Sequence, residues 1–245
     1  MYQGDEAYMK KYLSYGGGVN SVAMMLYLID HGEKFEAVMS DTGCEYPETY
    51  LYLEMFQIWL RFHGHKPITV LTPSVEGYNN LFKYCFDKCL IPSRKFKWCT
   101  DKFKQKGQRE YFKKPCFVYI GIDAGEAHRA KIVGGDIEQR YPLIENNINR
   151  DGCKDIIKAH GLPIPRKSAC YICYNAGPGE LKQLRTTHPD LFCHIRQLET
   201  RCNEKRAKSG KKPIYLKDKP IDAVVEENQI PIFKQDEYPP CQCGL

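Results

Sequence analysis

Two cysteine patterns and one glycine-rich turn are the parts of this sequence with the residue types for chemistry. Cys170-x-x-Cys173 presents two thiols from one turn. That bite suits a tetrahedral Zn2+ ion or an iron–sulfur cluster, and both usually need four ligands. Cys241 and Cys243 form a C-x-C near the last residue, and Cys99 lies in Trp98-Cys99-Thr100, so these three are the candidates to complete the set. Twelve cysteines in a chain whose first residues carry no apolar export signal point to reduced thiols, where clustered cysteines bind metal or do redox chemistry. The isolated ones, Cys44, Cys85, Cys89, Cys116, Cys153, Cys193 and Cys202, are expected as small buried hydrophobes.

Gly16-Gly17-Gly18-Val19-Asn20-Ser21 follows a short strand-like run, Tyr12-Leu13-Ser14-Tyr15, and precedes a helical pattern. Three glycines let backbone N–H groups approach a ligand with no side chain in the way. At a helix start those N–H groups and the positive end of the dipole suit a phosphate, with the Ser14 and Ser21 hydroxyls as further donors. No lysine follows the glycines as a Walker A loop requires.

These groups need a scaffold, and the pattern supplies one. Val22, Met25, Leu26 and Ile29 recur at helical spacing, with Gly32 placed to cap the end. Phe35 to Met39 reads as a second strand, Pro47 opens a long aromatic-rich helix to His63, and Ile68 to Leu71 is a third strand. Cys116 to Ile122 is a fourth, with a fifth expected between Ala130 and Ile137. Strands alternating with helices predict an α/β fold with a mainly parallel sheet covered on both faces. Beyond Tyr141 a short helix from Asp151 to His160 is closed by Gly161, the CxxC lies in a loop, and Glu180 to Lys205 is helical with a break at Pro189. The expected division is a nucleotide-binding domain over 1–140 and a mostly helical, cysteine-bearing region over 141–245.

The chain has 245 residues, 42% hydrophobic and 27% charged, which excludes a disordered or fibrous protein. No apolar run approaches the roughly 20 residues needed to span a bilayer. A soluble, cytoplasmic protein without membrane partners is expected. The net charge of +6 is unevenly spread. Arg94 to Lys114 holds nine Lys/Arg against Asp101 and Glu110, and Arg201 to Lys219 holds eight against Glu204 and Asp218. Such stretches are either solvated basic faces or contacts for phosphates, including a nucleic-acid substrate.

Four segments in order resemble one superfamily. The glycine turn resembles the S-G-G-x-D-S pyrophosphate loop of the adenine nucleotide α-hydrolases, the PP-loop superfamily. Asp41-Thr42-Gly43-Cys44-Glu45-Tyr46-Pro47-Glu48-Thr49-Tyr50 resembles the D-T-G-x-x-[FY]-x-E-T-[YW] motif of its phosphoadenosine phosphosulfate (PAPS) reductase branch. Cys99-Thr100 followed by Lys102 and Lys104 is similar to that branch's C-T-x-x-x-K segment, and Gly121 to Arg129 to its G-x-R-x-x-E-S-x-x-R segment. Two positions depart from the pattern: Asn20 stands where the loop usually has Asp, and Asp123 where a basic residue is usual.

The resemblance implies a Rossmann-like α/β/α sandwich with ATP or a related adenine nucleotide at the strand ends. It places Ser14, Gly16, Gly17, Gly18, Asn20 and Ser21 at the phosphates, and Asp41, Thr42, Glu126 and Arg129 at the nucleotide. Mg2+ would accompany the phosphates, with Lys102 and Lys104 as added contacts. Iron–sulfur members pair a cysteine segment like that around Cys99 with a downstream CxxC, which implies a [4Fe-4S] cluster on Cys99, Cys170, Cys173 and Cys241 or Cys243. A structural Zn2+ site of Cys170, Cys173, Cys241 and Cys243 is the alternative. Cys243-Gly244-Leu245 also resembles the E-C-G-L-H segment whose cysteine attacks sulfate sulfur in sulfonucleotide reductases. Asp41, Lys102 and Cys243 are thus the candidate catalytic residues. Three functions follow: adenylation for sulfur transfer from a sulfur donor, reduction of a sulfonucleotide with a thioredoxin-like reductant, or a zinc-stabilised nucleic-acid-binding module.

Overall fold

The computed structural model describes residues 9–131 and 135–227. Five strands, β1 (Lys10–Ser14), β2 (Glu36–Ser40), β3 (Thr69–Leu71), β4 (Cys116–Ile120) and β5 (Ile137–Arg140), form one sheet in the order β3-β2-β1-β4-β5. Every pairing is parallel. Parallel neighbours need crossovers, and helices supply them. They are α1 (Val19–Asp30), α2 (Pro47–Phe62), α3 (Leu81–Lys88), a helical run of α4 (Trp98–Thr100), a π turn (Asp101–Gln105) and α5 (Lys106–Tyr111), then α6 (Pro142–Glu145) and α7 (Arg150–Ala159). Three more, α8 (Pro178–Thr187), α9 (Pro189–Ala207) and α10 (Ile221–Glu227), complete the described chain. The sheet and its two helical faces are the α/β sandwich that the alternating pattern implies.

Side chains alternate across the sheet, so each strand feeds two cores. Leu13, Ala37, Met39 and Tyr119 pack with α1, α2 and α7 on one face. Tyr12, Val38, Val118 and Ile120 pack with Phe112 and Ile144 on the other. A third core joins α3, α8, α9 and α10 around Tyr46, Phe103 and the residues of the CxxC loop. Residues on both sides of position 140 share these cores: Leu143, Cys153, Ile157 and Leu162 lie in the sheet core with α1, while Cys44, Tyr84 and Phe103 lie in the helical one.

Helix ends fall where the sequence marks them. Gly32 at φ +67° and Gly161 at φ +68° follow α1 and α7, each in the left-handed conformation that glycine adopts without strain. Pro189 does not merely interrupt a helix; it occupies the first position of α9, where its missing N–H costs nothing. The fifth strand is the one displaced element. It begins only at Ile137, the last residue of the expected span, because its register with β4 starts at Cys116↔Ile137 and Gly135 before it turns the chain at φ +111°.

Candidate nucleotide site

The chain leaves β1 toward β2 on one side and returns from β3 to β4 on the other. At such a switch point the strand ends splay and leave a crevice. A pocket opens there, walled by Ser14 at the end of β1 and Gly16 after it, Ser40 at the end of β2, Gly121 after β4, and Asn20 and Ser21 on α1. Gly18 is the N-cap residue of α1; no side chain caps this end and its first turn carries no acid. The positive end of a twelve-residue helix therefore faces the crevice without a built-in anion.

The glycines around this turn have different tasks. Gly17 holds φ +74°, and a Cβ there would lie 3.0 Å from Thr49 Cγ2. Gly18 lets the Ser168 segment approach, since its Cβ would stand 3.0 Å from Ser168 Oγ. A Cβ on Gly16 would meet only Ser21 Oγ, at 4.0 Å, so that side of the loop is open. Gly121 admits the β4 end against the start of α1, where a Cβ would be 2.9 Å from both Asn20 O and Ser21 N.

Four cationic side chains surround the crevice: Lys104, Arg129, Arg150 and Lys167. Lys104 Nζ pairs with Glu45 Oε1 at 3.0 Å, Arg129 Nη1 with Glu126 Oε1 at 2.6 Å, and Lys167 Nζ with Glu180 Oε1 at 3.0 Å. Arg150 Nη1 donates to Asn20 Oδ1 at 2.9 Å. Asn20 Nδ2 in turn donates to Asp123 Oδ2 at 2.8 Å and Glu126 Oε2 at 3.3 Å. The two positions that depart from the resembled pattern are thus hydrogen-bonded to each other. Ser14 Oγ donates to Gln108 Oε1, and Ser21 Oγ to Gly18 O, both at 2.9 Å, so each hydroxyl is occupied within the protein.

Several expected residues sit elsewhere. Asp41 Oδ1 accepts from Gly43 N at 2.8 Å and Tyr50 Oη at 2.7 Å, which closes the turn after β2. Burial, and then the Asp41 carboxylate, push the Tyr50 hydroxyl well above its ordinary value. Thr42 is fully buried, its hydroxyl beside Glu45 and Cys170. Neither Asp41 nor Thr42 lines the crevice. Lys102 points away from it, donating to Tyr84 Oη at 3.2 Å with Glu76 Oε1 at 3.5 Å. Residues two apart on a helix face opposite sides, which is why Lys104 lines the crevice and Lys102 does not. Gln108, Arg150, Lys167 and Ser168 were not singled out by any motif. Their one sequence signal is proximity: Arg150 opens a helix and Lys167-Ser168 runs into the CxxC.

The cysteines are only partly gathered. Cys170 and Glu45 form a backbone bridge, and Cys170 Sγ lies 3.2 Å from Thr42 Oγ1 and 3.4 Å from Glu45 Oε1. Burial, then the nearby Glu45 charge, push the Cys170 thiol far above its ordinary value, and burial also raises Cys99. Cys173 Sγ accepts from Asn175 N at 3.4 Å. Among the described residues no group of three His, Cys, Asp or Glu is placed to hold a metal ion. Cys241 and Cys243 lie outside the described residues. The described thiols therefore do not make a complete cluster or zinc site. Of the isolated cysteines, Cys44, Cys85, Cys116, Cys153 and Cys202 are buried, while Cys89 and Cys193 are partly exposed. No helix among the described residues is long and apolar enough to cross a membrane.

No protein-family model matches the chain. An uncharacterized protein of Methanocaldococcus jannaschii is 24% identical over 201 residues, covering 73% of this chain. The match takes in 45% of that relative, so this chain spans a little under half its length. Among solved structures, a PAPS reductase of Candida auris in a phosphate complex superposes with a TM-score of 0.47 at 15% identity, over 64% of this chain and 76% of that one. The U34-tRNA thiolase NcsA of Methanococcus maripaludis, solved with its [4Fe-4S] cluster, superposes with a TM-score of 0.44 at 13% identity, over 91% and 82%.

Proposed function

We propose that this protein is an enzyme that binds ATP in the switch-point crevice and activates a substrate by adenylation for sulfur transfer. The observation that carries this reading is the uncapped, acid-free start of α1 opening into a crevice ringed by Lys104, Arg129, Arg150 and Lys167. A polyphosphate supplies the anion that the first turn of α1 lacks.

In this reading the phosphates lie on the backbone N–H groups of Gly16 to Ser21, with the open side of Gly16 giving the closest approach. A substrate oxygen attacks the α-phosphorus, the bond to the β-phosphate oxygen breaks, and pyrophosphate leaves with its charge held by the loop and the cationic ring. The substrate hydroxyl loses its proton in that step. A sulfur nucleophile from a donor then displaces AMP, so a carbon–oxygen bond is exchanged for a carbon–sulfur bond. Glu45 is almost fully buried on the crevice wall, and its Oε2 has no partner among the described residues. That orphaned carboxylate oxygen fits a Mg2+ ion, which would neutralise charge on the departing pyrophosphate.

The deciding experiment is parallel incubation of anaerobic protein with ATP and with PAPS, assaying pyrophosphate and sulfite. Pyrophosphate from ATP with no sulfite from PAPS is the expected result. Sulfite from PAPS, lost in Cys243→Ser, replaces this reading with a sulfonucleotide reductase. Release of neither product, together with thermal stability indifferent to every adenine nucleotide, rejects the nucleotide site altogether.

A further inference from the structure

A second groove opens beside the crevice, between the Pro92–Lys95 turn and the Tyr215–Asp218 segment. Arg94 and Lys95 come from one basic stretch of the sequence and Lys217 from the other, over 120 positions later, and the fold brings them to the same groove. Arg94 and Lys95 are exposed. Lys217 is half-buried, its Nζ fixed 2.7 Å from Tyr174 O. None of the three is ion-paired with a carboxylate among the described residues, and Asp218 is the one acid on the groove wall. Ser93 Oγ, also on that wall, is buried without a hydrogen-bond partner.

Lys167 lines both this groove and the nucleotide crevice. It is only 8% exposed and tied to Glu180, so it forms a fixed wall shared by the two spaces.

We propose that this groove is a second-substrate site that takes a phosphate-bearing molecule and leads its reacting end past Lys167 into the crevice. Three cations without carboxylate partners, converging from separate segments, favour a phosphoester over an apolar ligand. The half-buried Tyr215 ring beside them offers a face for a base. That the reacting end enters the crevice rests on the adenylation reading; binding in the groove does not.

The test uses the full chain and two probes, uridine 5′-monophosphate and a single-stranded uridylate decamer, titrated at low salt. The variants are Arg94→Glu/Lys95→Glu, on exposed side chains, and Lys217→Met, which keeps the aliphatic stem. Affinity for whichever probe binds should fall about tenfold in both variants, with a shallower salt dependence, while ATP still raises the melting temperature. A decamer-only effect identifies a nucleic-acid strand, and an equal effect on both probes a mononucleotide end. Binding of neither probe, affinities unchanged in the variants, or loss that parallels loss of ATP binding overturns the proposal. If wild-type protein binds a probe but not ATP, the adenylation reading fails and the groove stands.

Discussion

Asn20 Nδ2 donates to Asp123 Oδ2 at 2.8 Å, joining residues 103 positions apart where β4 meets the start of α1. Each residue alone looks like a lost charge. Together they are one exchange: an amide donor faces a carboxylate, and the amide oxygen on its other side holds Arg150 at the crevice. Asp123 is 2% exposed and its Oδ1 also accepts from Gly125 N at 2.9 Å, so both of its side-chain oxygens have donors inside the protein.

Asn20→Asp puts a third carboxylate against Asp123 and Glu126 and removes the donor they share. The expected cost is about 1–3 kcal/mol in urea unfolding, the range for buried acceptors left without their donor, because Arg150 beside position 20 offsets part of the added charge. Adding Asp123→Asn restores a donor–acceptor pair and should recover at least half of that loss. An Asn20→Asp protein as stable as wild type would show that this contact holds nothing.

The glycines separate binding from folding. Gly16→Ala places its methyl in the open side of the loop, so the melting temperature without ligand should stay near wild type while the ATP-induced rise shrinks. Gly121→Ala instead drives a methyl into the Asn20–Ser21 backbone, which cannot swing aside, at a cost of about 1–3 kcal/mol without any ligand. Gly17→Val mixes the two effects, because its φ of +74° and Thr49 resist any side chain. Thermal melts with and without ATP distinguish all three.

Glu48 shows how the Asp41–Tyr50 segment serves the fold. Its Oε1 accepts from Arg166 Nη1 at 2.8 Å and His188 Nε2 at 2.9 Å, which ties the start of α2 to the approach to the CxxC and to the start of α9. Burial alone would raise this carboxyl, but the His188 bond and the Arg166 charge outweigh it and hold it below the usual carboxylate range. A folded value lowered in this way gives stability that is present above the unfolded value and lost as pH falls through the folded one. Stability measured from pH 6 down to pH 3 should therefore drop more steeply in wild type than in Glu48→Gln. Parallel curves would mean the clamp is not formed in solution.

Thiol labelling reads the cysteine environments directly. Burial pushes the Cys44 and Cys153 thiols up to about 12, and Cys170 is shifted upward as well. Only a thiolate reacts readily. Among the described cysteines, iodoacetamide at pH 8 should modify the partly exposed Cys89 and Cys193 before Cys44, Cys153 and Cys170, which should stay intact until the protein is unfolded. Peptide mapping checks this, and labelling of Cys170 as fast as Cys193 would contradict its contact with Glu45 and Thr42.

By itself the sequence determined the parallel α/β sandwich, because its signals are local: strand and helix periods, Gly32 and Gly161 as stops, Pro47 at a helix start and three glycines between β1 and α1. It determined the glycine turn between β1 and α1 for the same reason, since a turn and the helix that follows it are contiguous. The displaced β5 marks where such signals fail, as its register is set by pairing with β4 and by the glycine before it. Only the tertiary structure decided which charged groups surround the crevice. Lys102 and Lys104 are near-neighbours in sequence, yet a helix turns one toward Glu76 and the other toward Glu45. Arg150 and Lys167 reach the site from segments that carry no motif, and Asn20 and Asp123 each find in the other the partner that no local pattern shows. Charges act through space and are screened or paired by whatever the fold sets beside them, so their roles were fixed by packing and not by spacing along the chain.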